Sequence, residues 1–378
     1  MTESTSIILI GAGHVNLHIA AHAETLIERG ARVLLIDPGL FWYSGMATGV
    51  LGGRYEAAED QLNPQSLIEK SGGKFLQEKV TAVEPENRRV ILSDGNQLAY
   101  DYLSINVGSR VKDEGFVGWP ENTSVWPVKP IANLQKLRVL LENRFRAGEK
   151  PRLAVVGGGP TGVEAAANLK ALGRRFGIDT PVALISKSER LLPAASGGAA
   201  RSLHRKLTGN GLDLHYNTPI VGREDGSLLA EDGRRIESDY VVLATGLQAQ
   251  SLVYACGLPT RSEDGLLVNA KLHSVGDSRI FAGGDCAAME GYALPKLGVF
   301  GVRQAAFIHA NLLASLKGCP LVDYKPQKNY LAILNLGDKT ALATWGRFWW
   351  NGRSSMKLKD FIDQRFINRY RQMYRMEP

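Results

Sequence analysis

The residues best placed to do chemistry are glycines in two short turns. Gly11-Ala12-Gly13-His14-Val15-Asn16 follows the apolar run Ile7-Ile8-Leu9-Ile10 and opens a helical pattern. Gly157-Gly158-Gly159-Pro160-Thr161-Gly162 follows Leu153-Ala154-Val155-Val156 in the same way. Between a strand and a helix, the first glycine of such a turn permits the tight reversal. The second lets the backbone approach a pyrophosphate, which rests on the helix N-terminus where free N–H groups favour an anion. The second turn has the full Gly-x-Gly-x-x-Gly spacing. In the first, Asn16 replaces the third glycine and is expected to loosen the packing of helix on strand. The strand after the first turn, Arg32 to Ile36, ends at Asp37, placed to accept a ribose hydroxyl. Its counterpart ends Ile185-Ser186-Lys187, with Arg190 nearby and no carboxylate. These residues are either contacts for a ribose 2′-phosphate or solvated loop groups, so NADH and NADPH both stay open. A third element runs Ile280-Phe281-Ala282-Gly283-Gly284-Asp285, with a helical stretch from Leu297 to Leu316. Asp285 suits a ribityl hydroxyl, and the helix N-terminus offers positive potential to a reduced flavin; the alternative is a plain helix-start carboxylate.

These residues need two strand–turn–helix–strand units about 145 residues apart, an α/β fold with two Rossmann-like domains. Tyr100 to Gly108 and Ser238 to Gly246 match each other, each an Asp followed by an apolar strand ending in glycine. Each is preceded by a turn-rich stretch, Lys79 to Gln97 and Pro219 to Arg235, that reads as a β-hairpin. Proline-containing connectors, Gly115 to Pro130 and Gln248 to Ser262, suggest one domain inserted into another. The expected division is 1–120 and 248–320 for the outer domain, 121–247 for the insert, and 321–378 for a C-terminal tail.

The formal charge is +7, and its placement matters more than its size. From Trp345 to Pro378 eight basic residues face three acidic ones, a net +5 that leaves +2 for the rest of the chain. The same stretch holds eight of the 29 aromatic residues. Leu358, Phe361, Ile362, Phe366, Tyr370 and Met373 recur at helical spacing, so the tail reads as a helix with an apolar arc and basic residues around it. Such a helix rests on a membrane surface, docks on its own core or joins a second copy of the chain. Nothing in the nearly neutral body suits nucleic acid. Three cysteines, Cys256, Cys286 and Cys319, make no disulfide framework, and no metal-ligand spacing stands out. Met1 to Ser6 lacks a secretory n-region, so a cytoplasmic location is expected.

The order of motifs resembles the pyridine nucleotide-disulfide oxidoreductase superfamily over roughly residues 5 to 320. The resemblance implies FAD on the outer halves and NADH or NADPH on the insert. Disulfide reductases of that superfamily carry a redox cysteine pair soon after the first unit, but Tyr43 to Tyr55 here has no cysteine. The chain is instead similar to the branch of type II NADH dehydrogenases and sulfide:quinone oxidoreductases. Within it the chain looks most like the flavoprotein domain fused to selenide, water dikinase, on the Gly-x-Gly-His opening, Tyr43-Ser44-Gly45-Met46 and the helix from Lys296 to Asn311.

By that likeness, electrons pass from NAD(P)H through flavin to a quinone-type acceptor. Glu164 lies near the nicotinamide, and Lys296 and Gln304 line the quinone side. The further cofactor contacts implied are His14, Ser44, Gly45, Val80, Gly108, Gly284 and Asp285 for FAD. For the nicotinamide nucleotide they are Thr161, Ser186, Lys187 and Gly246. Two alternatives remain: a sulfide-oxidising relative, which needs reactive cysteines, and a non-catalytic flavin and NAD(P)H sensor. In type II NADH dehydrogenases the C-terminal region anchors to membrane, which supports the membrane reading of the tail.

Overall fold

The computed structural model describes residues 4–112, 116 and 124–375, with side chains to residue 373. Two five-stranded parallel sheets form its centre. The first runs Ile280–Ala282, Tyr102–Ile105, Thr5–Ile10, Ala31–Ile36, Lys74–Leu76. The second runs Val125–Pro127, Tyr240–Leu243, Leu153–Val156, Val182–Ile185, Asp213–His215. Strands such as Ile7–Ile10 and Leu153–Val156 are apolar at every position because helices cover both faces of a parallel sheet. The last strand of the first sheet enters only after the second sheet is complete. Between the two sheets Ser109–Val111 pairs antiparallel with Leu247–Ala249. The expected division at 120/121 lies outside the described residues, and the one at 247/248 falls inside this ribbon.

Both expected hairpins carry a third strand: Val80–Glu84, Arg89–Leu92 and Gln97–Ala99 form one meander. Ile220–Glu224, Ser227–Ala230 and Arg235–Glu237 form the other. The short third strand in each lacks the length to register in the sequence pattern.

Asn16 overturns one expectation. It is fully buried, and its amide nitrogen reaches the carbonyls of Ile10, Gly11 and Ser104 at 2.8–3.0 Å. Its Oδ1 accepts from Ser104 Oγ at 2.6 Å. The side chain that replaces the third glycine thus pins the helix His14–Ala21 to two strands instead of loosening it, since its buried polar atoms are satisfied.

The C-terminal part is an antiparallel sheet, Leu331–Asn335, Ala341–Trp345 and Phe348–Gly352, followed by the helix Arg353–Arg375. The helix docks on the chain's own body. Ile367 and Tyr370, with Phe366 and Met373 partly buried, pack among Leu17, Phe41, Met46, Tyr55, Leu62 and Leu67. The apolar arc read from the sequence is therefore split. Phe366, Tyr370 and Met373 turn inward, while Leu358, Phe361 and Ile362 stay exposed. The inward stripe is completed by Ser355, Met356, Lys359 and Asp363, two of them charged and paired, which periodicity of apolar residues does not reveal.

Candidate functional site

The first glycine turn is shaped around Asn106. Gly11 has φ +79°, and a Cβ on it would stand 2.8 Å from the Asn106 carbonyl. A Cβ on Gly13 would stand 2.3 Å from Asn106 Oδ1. That oxygen accepts from Val15 N at 2.8 Å, and Asn106 Nδ2 donates to the Gly283 carbonyl at 2.6 Å. Gly284 N in turn donates to Gln304 Oε1 at 2.7 Å, so Gln304, buried, holds the Gly-Gly-Asp turn from the helix Gly298–Leu316. Asp37 accepts from Ala12 N at 2.7 Å and Gly39 N at 2.8 Å, and burial pushes its carboxyl up.

Asp285 follows the strand Ile280–Ala282. Its Oδ2 accepts from Ser109 Oγ at 2.6 Å and Lys129 Nζ at 2.8 Å, while Oδ1 accepts no hydrogen bond among the described residues. Burial opposes the charge on Asp285, but the Lys129 ammonium and Ser109 hydroxyl outweigh it and hold the carboxyl below its usual range. Lys296 donates to the carbonyls of Asp264 and Asp285, both at 2.7 Å, and burial pushes its ammonium down. His14 sits against Phe41, Tyr43 and Phe366, with its imidazole pushed down to about 4 by burial. Ser44 is exposed at the start of the helix Ser44–Leu51, Gly108 has φ +74°, and Val80 is buried in the core beneath. An ionised carboxylate with one oxygen unbonded, beside a turn in which side chains cannot fit, suits the ribityl and pyrophosphate groups of FAD.

In the second turn a Cβ on Gly162 would lie 1.8 Å from the Gly157 carbonyl, so the third glycine is obligatory here. Gly246 has φ +111°, and Thr161 is exposed at the helix start. Ser186 is buried, with Oγ accepting from Ser188 N at 3.1 Å, and Lys187 is exposed.

A buried charged cluster joins the two units. Glu164, on the helix Pro160–Arg175, accepts from Asn335 N at 2.7 Å, and burial pushes its carboxyl up against the pull of Lys359. Lys359 Nζ donates to the Gly45 carbonyl at 2.6 Å and to Asp363 Oδ2 at 3.0 Å. Burial alone lowers the Lys359 ammonium, but the carboxylates of Glu164 and Asp363 more than offset it and raise it overall. Tyr43, stacked on Phe366 at 4.5 Å, donates to Asp363 Oδ1 at 3.0 Å. Sequence reasoning missed Asn106, Ser109, Lys129, Lys359 and Asp363. Only the Lys359–Asp363 pair, four residues apart, left a local sign.

Cys256 and Cys286 are buried, with thiols pushed up to about 12 and about 11, and Cys319 is exposed. Among the described residues no side-chain group is arranged to hold a metal ion, and no helix is long and apolar enough to cross a membrane.

Two parallel nucleotide-binding sheets, glycine turns on both and an acidic strand end in the first define a two-dinucleotide flavoprotein. Residues 5–307 match the pyridine nucleotide-disulphide oxidoreductase family, and the chain belongs to it. It is 30% identical to ferroptosis suppressor protein 1 of Taeniopygia guttata over 68% of this chain and 67% of that protein. It is 26% identical to the type II NADH:quinone oxidoreductase of Haemophilus influenzae over 90% of this chain and 86% of that one. The NDH2 structure of Plasmodium falciparum in complex with NADH superposes with a TM-score of 0.81 at 17% identity. That match covers 98% of this chain and 97% of that chain.

Proposed function

We propose that this chain is an FAD-dependent oxidoreductase that takes a hydride from NAD(P)H and passes the electrons to a quinone. The carrying observation is Asp285, held ionised with an unbonded oxygen between two glycine-turn nucleotide folds. Bound FAD supplies the hydride acceptor and two-electron store. The Gly157–Gly162 turn holds the pyrophosphate of NAD(P)H, and its helix start favours that anion. Asp285 and the Gly11–Gly13 turn hold FAD, with His14, Ser44, Gly45 and Gly108 around it. Lys296 keeps a donor beside Asp285, and Gln304 positions the turn that carries it. Quinone reduction takes up protons, and Lys359, donating to the Gly45 carbonyl with Glu164 and Asp363 as its charged neighbours, is a proton-bearing group of this chain beside Gly45. The outer domain is then 1–120 with 248–320, the insert 121–247 and the tail 321–378.

The type II NADH:quinone oxidoreductase branch is supported by the Haemophilus relative. The likeness to the flavoprotein domain fused to selenide, water dikinase rests on the Gly-x-Gly-His opening, the Tyr-Ser-Gly-Met segment and the helix from Lys296 to Asn311. Sulfide oxidation is disfavoured because Cys256 and Cys286 are buried thiols held protonated.

We further infer that the tail rests on a membrane surface. Its support is the exposed set Trp345, Phe348, Trp350, Leu358, Phe361 and Ile362, carried by the last hairpin and helix, with Arg365 and Arg369 also exposed.

The test of the oxidoreductase reading is anaerobic. Flavin-loaded protein mixed with NADH or NADPH is expected to lose its oxidised flavin absorbance and recover it on adding a soluble ubiquinone analogue. A flavin that both nucleotides leave oxidised overturns the reading.

A further inference from the structure

The loop after the second strand of the nicotinamide unit differs in charge from its counterpart in the flavin unit. In the first unit Asp37 follows the strand Ala31–Ile36 and bonds Ala12 N in the glycine turn at 2.7 Å; the next residues, Pro38, Gly39 and Leu40, are uncharged. In the second unit Ser186 occupies that place. Its Oγ would stand 2.4 Å from a Cβ on Gly158, the residue equivalent to Ala12. The loop then folds back on the turn, Leu192 N donating to the Gly158 carbonyl at 2.9 Å. That closure keeps Lys187 and Arg190 beside the glycine turn. A Cβ on Gly197 would stand 3.6 Å from Arg190 Nη1 and 3.3 Å from Arg201 Nη1, so the two guanidinium groups flank one point. Arg190 donates only to the Pro193 carbonyl, and neither Lys187 nor Arg201 has an ion-pair partner among the described residues. The one carboxylate of the loop, Glu189, is exposed and bonds none of them.

A nucleotide seated on the Gly157–Gly162 turn presents its adenosine ribose to the end of the second strand. A bare 2′-hydroxyl there calls for an acceptor, as Asp37 provides in the first unit. A 2′-phosphate, with nearly two negative charges, calls for cations and the absence of a carboxylate. We propose that the reductant of this chain is NADPH, selected over NADH by Lys187, Arg190 and Arg201 around the 2′-phosphate. The proposal rests on the reading of Gly157–Gly162 as the nicotinamide-nucleotide site.

The test uses the full chain loaded with FAD. In calorimetric titrations 2′,5′-ADP is expected to bind at least about tenfold more tightly than 5′-AMP. It should also bind more tightly than 3′,5′-ADP, which carries the same charge in the wrong place. The double variant Lys187→Ala/Arg190→Ala, both on the loop surface, is expected to bring the preference within about threefold, and Arg201→Ala to reduce it separately. In anaerobic mixing NADPH should reduce the flavin with an apparent second-order rate constant at least about tenfold above that of NADH. Equal binding of the two bisphosphates, or faster reduction by NADH, overturns the proposal. Selective 2′,5′-ADP binding without flavin reduction by either nucleotide supports the selection of the 2′-phosphate by these three cations and removes the oxidoreductase reading instead.

Discussion

Asp60 shows how a single side chain sets a pH dependence. It ends the 3-10 turn Ala57–Asp60, is fully buried, and neither carboxyl oxygen has a hydrogen-bond partner among the described residues. Burial pushes its carboxyl up to about 7. Its folded pKa lies above its unfolded value, so its favourable contribution is complete below the unfolded pKa of roughly 4. That contribution is lost as the pH rises through about 7. Asp60→Asn should therefore stabilise the protein by about 1–3 kcal/mol at pH near 8 and by much less near pH 5. Urea unfolding at the two pH values checks this; a gain that is independent of pH excludes the carboxyl as its source. Nothing around Asp60 in the sequence marks it as buried, because its neighbours Glu59 and Gln61 are polar and its cover comes from distant segments.

Helix Arg353–Arg375 depends on a polar stripe as much as on an apolar one. Lys359 and Asp363 are buried together, and each also serves a segment more than 300 residues earlier, Gly45 and Tyr43. Breaking such a pair leaves an uncompensated buried charge, which costs about 3–5 kcal/mol. Asp363→Leu and Lys359→Met should each lower stability by about that amount, and the double variant by clearly less than their sum. A double-mutant cycle from denaturant unfolding measures the coupling, and strict additivity contradicts it. The elements themselves were largely legible. The strand–glycine–helix units announce themselves because each turn is local and its glycines have no substitute, as Gly162 beside the Gly157 carbonyl shows. The site was less so: Asn106 serves Val15 and Gly283, and Lys129 reaches Asp285 across 156 residues. Such contacts exist only once the sheets are stacked, and Lys359 had counted simply as one of the tail's positive charges.

Across the whole molecule the uneven charge distribution acquires a physical form. The inner face of the tail is spent on docking, which leaves Phe361 and Ile362 outward, 61% and 39% exposed, among arginines. Phe361→Glu/Ile362→Glu changes residues without core contacts, so the melting temperature should hold within a degree or two. Co-sedimentation with anionic phospholipid vesicles should fall at least about fivefold, and the remaining binding should weaken further with salt. Unchanged sedimentation excludes the membrane reading, and a loss of dimer in place of vesicle binding assigns the face to a second copy of the chain.

The antiparallel ribbon between the two sheets has an evolutionary consequence. Ser109 and Ala249 are register partners, so the polypeptide leaves for the second sheet and returns from it one strand spacing apart, about 5 Å. A stretch of gene encoding a whole fold can be lost, gained or swapped at such a point without stretching the host, since the ends left behind already meet. Exchange of one nucleotide cassette for another would then change which reductant is used while the flavin half kept its own inheritance.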